Sequence, residues 1–120
     1  LQGFGCRVVA YDPRPSAEAL AAGLEFLPLS EALGDADIVS LHCPLLPATR
    51  HLISRPTLAW MKRGAVLLNT SRGGLLDTRA VVDALECGHL SALGIDVYED
   101  EAPIFYEDHS ARGIGDEVLA

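Results

Sequence analysis

The stretch NTSRGGLLD, residues 69–77, carries the pattern richest in chemistry, because Arg72 is followed directly by Gly73 and Gly74. A guanidinium beside two residues without side chains can approach a small carboxylate and grip it with two parallel hydrogen bonds, which a lysine ammonium cannot do. The same stretch reads equally as a strand-to-helix loop with a solvated arginine and glycines that permit the turn. Asp12, just before Pro13, reads either as a turn residue or as a carboxylate that accepts hydrogen bonds from a sugar diol. The acidic run DVYEDE, residues 96–101, reads as a solvated loop in which only one carboxylate need matter. His42, His51, His89 and His109 are scattered, and each reads as a core, cap or surface histidine. Cys6, Cys43 and Cys87 are odd in number and form no CxxC or His-flanked set, so no metal site is expected, and they are read as reduced thiols, two of them buried.

Elements that could gather these residues alternate along the chain. Short apolar runs read as strands at CRVVAYD (6–12), LEFLP (24–28), DIVSLHC (37–43), AVLLNTS (65–71) and ALGIDVY (92–98). Helical patterns separate them. SAEALAAG is one, with Gly23 at its end; EALGDA follows Ser30 as an N-cap; PTLAWMKRG ends at Gly64; and the helix after Asp77 shows Val81, Val82 and Leu85 before Gly88. Residues from Glu99 onward read as acidic and irregular, with EVLA as a further helix start. This alternation is that of a parallel α/β sheet, in which ligands bind beyond the carboxyl ends of the strands. Every informative polar residue falls at such an end: Asp12 on the first strand, Cys43 and Pro44 on the third, Thr70, Ser71 and Arg72 on the fourth, and Asp96 late in the fifth.

The chain has 120 residues, 49% of them hydrophobic, which suits one domain with a sizeable core. A net charge of −8 without any local Lys/Arg cluster argues against nucleic acid as a partner. No apolar run reaches the roughly 20 residues of a membrane helix, and the start LQGFGCRVV lacks a signal-peptide pattern, so no membrane association and a cytoplasmic location are expected.

VVAYDP, DADIVSLHCPLLPATRHLI, MKRGAVLLNTSRGGLLDTRAVVDAL and LGIDVYEDE together closely resemble the D-isomer-specific 2-hydroxyacid dehydrogenases, over nearly the whole chain. The tail PIFYEDHS resembles the D-lactate dehydrogenase branch of that family. The resemblance implies a Rossmann-like, doubly wound parallel sheet and NAD as cofactor. It makes Asp12 the ribose-diol carboxylate and places Cys43, Pro44, Thr49, Thr70, Ser71 and Asp96 along the cofactor. Arg72 matches the arginine that holds the substrate's carboxylate and carbonyl, and Glu101 the acid that keeps a catalytic histidine protonated. A small 2-hydroxy or 2-oxo acid is the implied substrate, and a homodimer the implied assembly.

The resemblance also implies an incomplete domain. The first strand with its glycine-rich GxGxxG loop, the catalytic histidine and the substrate-binding domain are expected outside residues 1–120, which form a partial NAD-binding domain. In strand order 3-2-1-4-5-6 the first strand is central, so the strands present should divide into a pair and a triplet. Three alternatives accompany the D-lactate reading: another D-2-hydroxyacid dehydrogenase, a C-terminal-binding corepressor-like protein that uses NAD as a conformational ligand, and an inactive remnant.

Overall fold

The computed structural model describes residues 1–99. Its strands are β1 (Val9–Ala10), β2 (Glu25–Phe26), β3 (Ile38–Leu41), β4 (Ala65–Asn69) and β5 (Leu90–Ile95), and its α-helices are α1 (Ala17–Ala21), α2 (Leu29–Asp35), α3 (Arg55–Leu58) and α4 (Thr78–Glu86). All strand pairing among the described residues is parallel, and the strands form a pair, β1-β2, and a triplet, β3-β4-β5. That is the division expected of an incomplete doubly wound sheet whose central strand is not among these five.

Local chemistry accounts for the helix limits. Ser16 caps α1 by accepting from the Ala19 amide at 3.1 Å, and Asp77 caps α4 by accepting from the Ala80 amide at 3.1 Å. Ser54 and Thr57 close a capping box at α3. Gly88 follows α4 at φ 67°, a left-handed conformation that suits a residue without Cβ. The α2 helix departs from expectation: it begins at Leu29 behind Pro28, so Ser30 lies inside its first turn and caps nothing. Pro28 fixes the entry backbone without needing an N–H, which explains the earlier start. The strands are shorter than their apolar runs, since β1 keeps two residues of 6–12, and β5 starts at Leu90 and ends before Asp96.

The core lies on one face of the triplet. Ile53, Leu67 and Leu75 are fully buried, joined by Val81 and Leu90. From α4 the buried side chains are Ala80, Val81 and Ala84; Leu85 is partly buried and packs against the same core, and Val82 is partly buried. Alanines at two of those positions let the helix axis sit close to the sheet. Leu67 pairs across the ladder with Val39 and Leu93, giving a continuous apolar row. The opposite row, Ile38, Val66 and Ala92, is more open, with Ile38 62% exposed. One irregularity interrupts the β4–β5 ladder: Ala65 faces Leu90 but Val66 faces Ala92, so Ser91 is an extra residue, its hydroxyl 3.4 Å from the Ala65 carbonyl.

The β1-β2 pair is held differently. Its ladder is two residues long on each strand, and Arg7 reaches Glu25 at 3.0 Å and Asp35 at 2.7 Å, which hold the guanidinium still further above its already high range. Such exposed ion pairs stabilise little. The cysteines also differ from expectation: Cys6 and Cys87 are exposed and Cys43 is half-buried, so none is fully buried. Cys6 precedes the truncated β1 and Cys87 follows the end of α4, both outside the packed layers. Among the described residues no helix is long and apolar enough to cross a membrane, and no cluster of side chains suits a metal ion.

The two sheets should therefore differ in protection. Amide hydrogen exchange followed by mass spectrometry is expected to show residues 7–27 exchanging well before β4 and β5, because a two-strand ladder without a buried face opens easily; equal protection would contradict this account.

Candidate functional site

The site is built around the point where β4 ends. Asn69 is fully buried, and it is the only polar residue so placed among the described residues. Its Nδ2 donates to the Arg72 carbonyl at 2.8 Å and its Oδ1 accepts from the Ser71 amide at 3.1 Å. One side chain thus turns the chain out of the strand, as asparagine side chains do when they take the place of a backbone turn. The Ser71 hydroxyl donates to the Cys43 carbonyl at 2.8 Å, tying the loop after β4 to the loop after β3.

The loop after β3 is closed by one hydroxyl. Thr49 Oγ1 donates to the Pro44 carbonyl at 2.6 Å and accepts from the Leu46 amide at 2.8 Å. Cys43 packs its half-buried side chain against the core. Burial pushes its thiol pKa up, and a backbone hydrogen bond offsets this only in part, which keeps the sulfur a neutral filler at ordinary pH.

Arg72 follows Ser71 in an extended conformation and is exposed. Its Nη1 donates to the Ser71 carbonyl at 2.7 Å, and its other N–H groups have no partner among the described residues. Thr70 is exposed beside it. Asp96 lies just beyond β5 rather than late within it, and its amide donates to the Asn69 carbonyl at 3.1 Å, which sets it beside Thr70. The paired register ends with Ile95 opposite Asn69, the last residue of β4.

Cys43, Pro44, Thr49, Thr70, Ser71, Arg72 and Asp96 are therefore gathered beyond the carboxyl ends of the triplet. Asp12 is placed after β1 in the other sheet, exposed, with Oδ1 accepting from the Arg14 amide at 2.7 Å. That bond serves the turn, while Oδ2 has no partner among the described residues. Glu101 lies outside the described residues.

A second cluster was not foreseen from the sequence. Glu99 accepts from Arg50 at 2.9 Å, lies 2.6 Å from His51 Nε2 and accepts from Thr78 at 3.3 Å. His51 is the one non-glycine residue at positive φ, 51°, among those described. Nothing in the run DVYEDE distinguishes Glu99 from its acidic neighbours, and a left-handed histidine has no sequence signature.

Parallel strands with polar groups gathered past their carboxyl ends define the ligand-binding end of a nucleotide-binding α/β domain. Residues 1–113 match the family model for the D-isomer specific 2-hydroxyacid dehydrogenase, NAD binding domain, and the chain belongs to that family. It is 52% identical over 119 residues to 2-hydroxyacid dehydrogenase A of Aspergillus oryzae, covering 99% of this chain and 34% of that one. The same identity and coverage relate it to D-lactate dehydrogenase kk1H of Curvularia clavata, 52% over 119 residues, 99% and 34%. A solved structure of the pyruvate reductase of Chlamydomonas reinhardtii superposes with a TM-score of 0.84 at 51% identity, over 90% of this chain and 32% of that chain. The chain thus spans about a third of the length of the curated relatives it matches.

Asn69 gives this region its sharpest test. Asn69→Asp keeps the acceptor for the Ser71 amide but loses the donor to the Arg72 carbonyl and puts an acid where no water reaches. A loss of about 2–3 kcal/mol is expected in urea unfolding; an unchanged midpoint would mean that the turn forms without this side chain.

Proposed function

We propose that residues 1–120 are the nucleotide-binding part of a longer NAD-dependent D-2-hydroxyacid dehydrogenase that interconverts pyruvate and D-lactate. The observation that carries this reading is the turn organised by Asn69, which leaves Arg72 exposed beyond the strand ends with most of its donors unengaged among the described residues. The substrate-binding domain lies outside this chain in the reading, as do the glycine-rich loop and the catalytic histidine. The names of the relatives support the substrate, because they include a D-lactate dehydrogenase and a pyruvate reductase. A cytoplasmic location and a homodimer formed through the nucleotide domain belong to the same proposal, the first supported by three cysteines without a disulfide among them.

The donors and acceptors present fit NAD. Asp12 has a carboxylate oxygen without a partner among the described residues, suited to a ribose diol and unsuited to a 2′-phosphate. Cys43, Pro44, Thr49, Thr70, Ser71 and Asp96 supply backbone, hydroxyl and carboxylate groups at the strand ends for the rest of the cofactor. When bound, NAD supplies or accepts the hydride at the C2 carbon of the acid.

The chain's own residues then bind and orient. Arg72 takes the substrate carboxylate through a forked pair of hydrogen bonds and polarises the neighbouring carbonyl, so that negative charge developing on its oxygen is stabilised. Its extended, exposed backbone presents the guanidinium beyond the strand ends, while Gly73 and Gly74 after it are buried. Glu101 favours the charged form of the histidine that supplies the proton.

Two substitutions in the full-length enzyme test the reading. Arg72→Lys is expected to lower kcat/KM for pyruvate by about a hundredfold or more, with NADH affinity nearly unchanged, since a point charge replaces a two-pronged grip. Near-normal turnover would make Arg72 an ordinary loop residue. Asp12→Ala is expected to narrow the preference for NADH over NADPH, measured as the ratio of specificity constants; a parent that already prefers NADPH would defeat the ribose assignment.

A further inference from the structure

The chain leaving β5 is anchored more firmly than a solvated acidic loop requires. The Glu99 side chain is only 16% exposed, and both of its oxygens are engaged. Oε1 receives Arg50 Nη2 at 2.9 Å and sits 2.6 Å from His51 Nε2, while Oε2 accepts from Thr78 Oγ1 at 3.3 Å. The ion pair with Arg50 alone would mean little, because that side chain is 58% exposed. A carboxylate withdrawn from water with donors from both the loop before α3 and the first residue of α4 is a different matter.

A second observation is independent of the carboxylate. A Cβ placed on Gly73 would collide with the Tyr98 carbonyl group and the Glu99 amide nitrogen, so the Tyr98–Glu99 peptide rests directly on the residue after Arg72. The surface it rests on is itself braced. The His51 amide donates to the Gly74 carbonyl at 2.9 Å and the Ile53 amide to the Leu75 carbonyl at 3.0 Å. Glu99 therefore grips, with its side chain, the same strip against which its backbone lies.

We propose that Glu99 is a positioning residue: held by Arg50, His51 and Thr78, it fixes the chain after β5 against the Arg72–Gly73 turn. In doing so it holds the Tyr98–Glu99 backbone beside Arg72 and so steadies the turn that presents the guanidinium. The inference rests on the dehydrogenase reading of Arg72. It gives Gly73 a role separate from flexibility, since only a residue without a side chain admits the peptide above it. It also gives the left-handed backbone of His51 a purpose, as part of what brings the ring to the carboxylate.

The test uses the full-length enzyme with Glu99→Gln, which keeps the shape and removes the charge. Loss of orientation should lower kcat for pyruvate reduction roughly tenfold to a hundredfold, with the Kd for NADH unchanged in a fluorescence titration. Amide exchange of the peptide covering residues 96–101 should rise while that of α4 does not. His51→Gln should give the same pattern, and the double variant should be no worse than either single one, because both remove one contact. Glu99→Asp, which keeps the charge but cannot reach, serves if the Gln variant does not fold. Unchanged exchange overturns the proposal by showing no clasp in solution, and raised exchange with unchanged kcat overturns it by showing a tie that positions nothing. Absence of pyruvate or other 2-oxo-acid turnover in the unsubstituted enzyme is a separate result: it defeats the dehydrogenase reading and, with it, this proposal.

Discussion

A buried asparagine must have both ends of its amide satisfied, and at Asn69 that requirement shapes everything around it. Leucine would fill the same space but leave the Ser71 amide without its partner and the Arg72 carbonyl with only the Leu75 amide, 3.2 Å away, and a buried group left unpaired costs about 1–3 kcal/mol. The amide answers both with one side chain, 3.1 Å to one and 2.8 Å to the other. The result is a turn whose outward residue is Arg72 and whose hydroxyl, on Ser71, reaches across to the loop after β3. The apolar packing of β4 and the polar arrangement beyond it thus meet in a single residue.

Apolar alternation and capping residues made much of the fold legible. Asp77 and Gly88 mark the limits of α4 where simple capping rules put them, and the apolar runs at 37–43 and 65–71 lie over β3 and β4. The division into a pair and a triplet followed from topology, because a parallel order leaves strands on either side of a missing centre unpaired. Strand lengths and the inward face of α4 were less legible. Hydrophobic type does not say which neighbour is present to pair with, and Ala80 and Ala84 are too small to announce a buried face.

Within the site, the gathered strand-end residues were legible because each lies where a parallel strand delivers its carboxyl end. What stayed hidden depends on contacts between segments far apart in sequence. In the sequence Asn69 is only the first letter of NTSRGGLLD and Glu99 only one of several acids in DVYEDE, yet each is set apart by partners that no local pattern names. His51 and Glu99 are separated by 48 positions, and only the folded chain brings them within 2.6 Å. Acidity over the whole chain, at −8, was informative in exclusion alone: fields of that kind are screened over about 8 Å at physiological salt, so recognition of an anion falls to individual side chains such as Arg72.

The extra residue in the β4–β5 ladder works as a phase correction. Along a strand, neighbours alternate between faces, so if Ser91 were paired in the ladder instead of set out of it, the two strands would run out of step by one position. Val66 would then face Ser91 and Leu67 would face Ala92, which would turn Leu93 away from the core it now completes. The same slip would move Asp96 one place along, from beside Thr70 to beside Ser71. One inserted residue at the amino end of β5 therefore keeps two distant alignments in register at once, the apolar row in the middle of the sheet and the polar row at its far end. The tolerance of this strand to changes in length is therefore uneven: loss of residue 91 alone would leave Ala65 facing Leu90 and Val66 facing Ala92, whereas loss of any paired residue beyond it would displace every later position together.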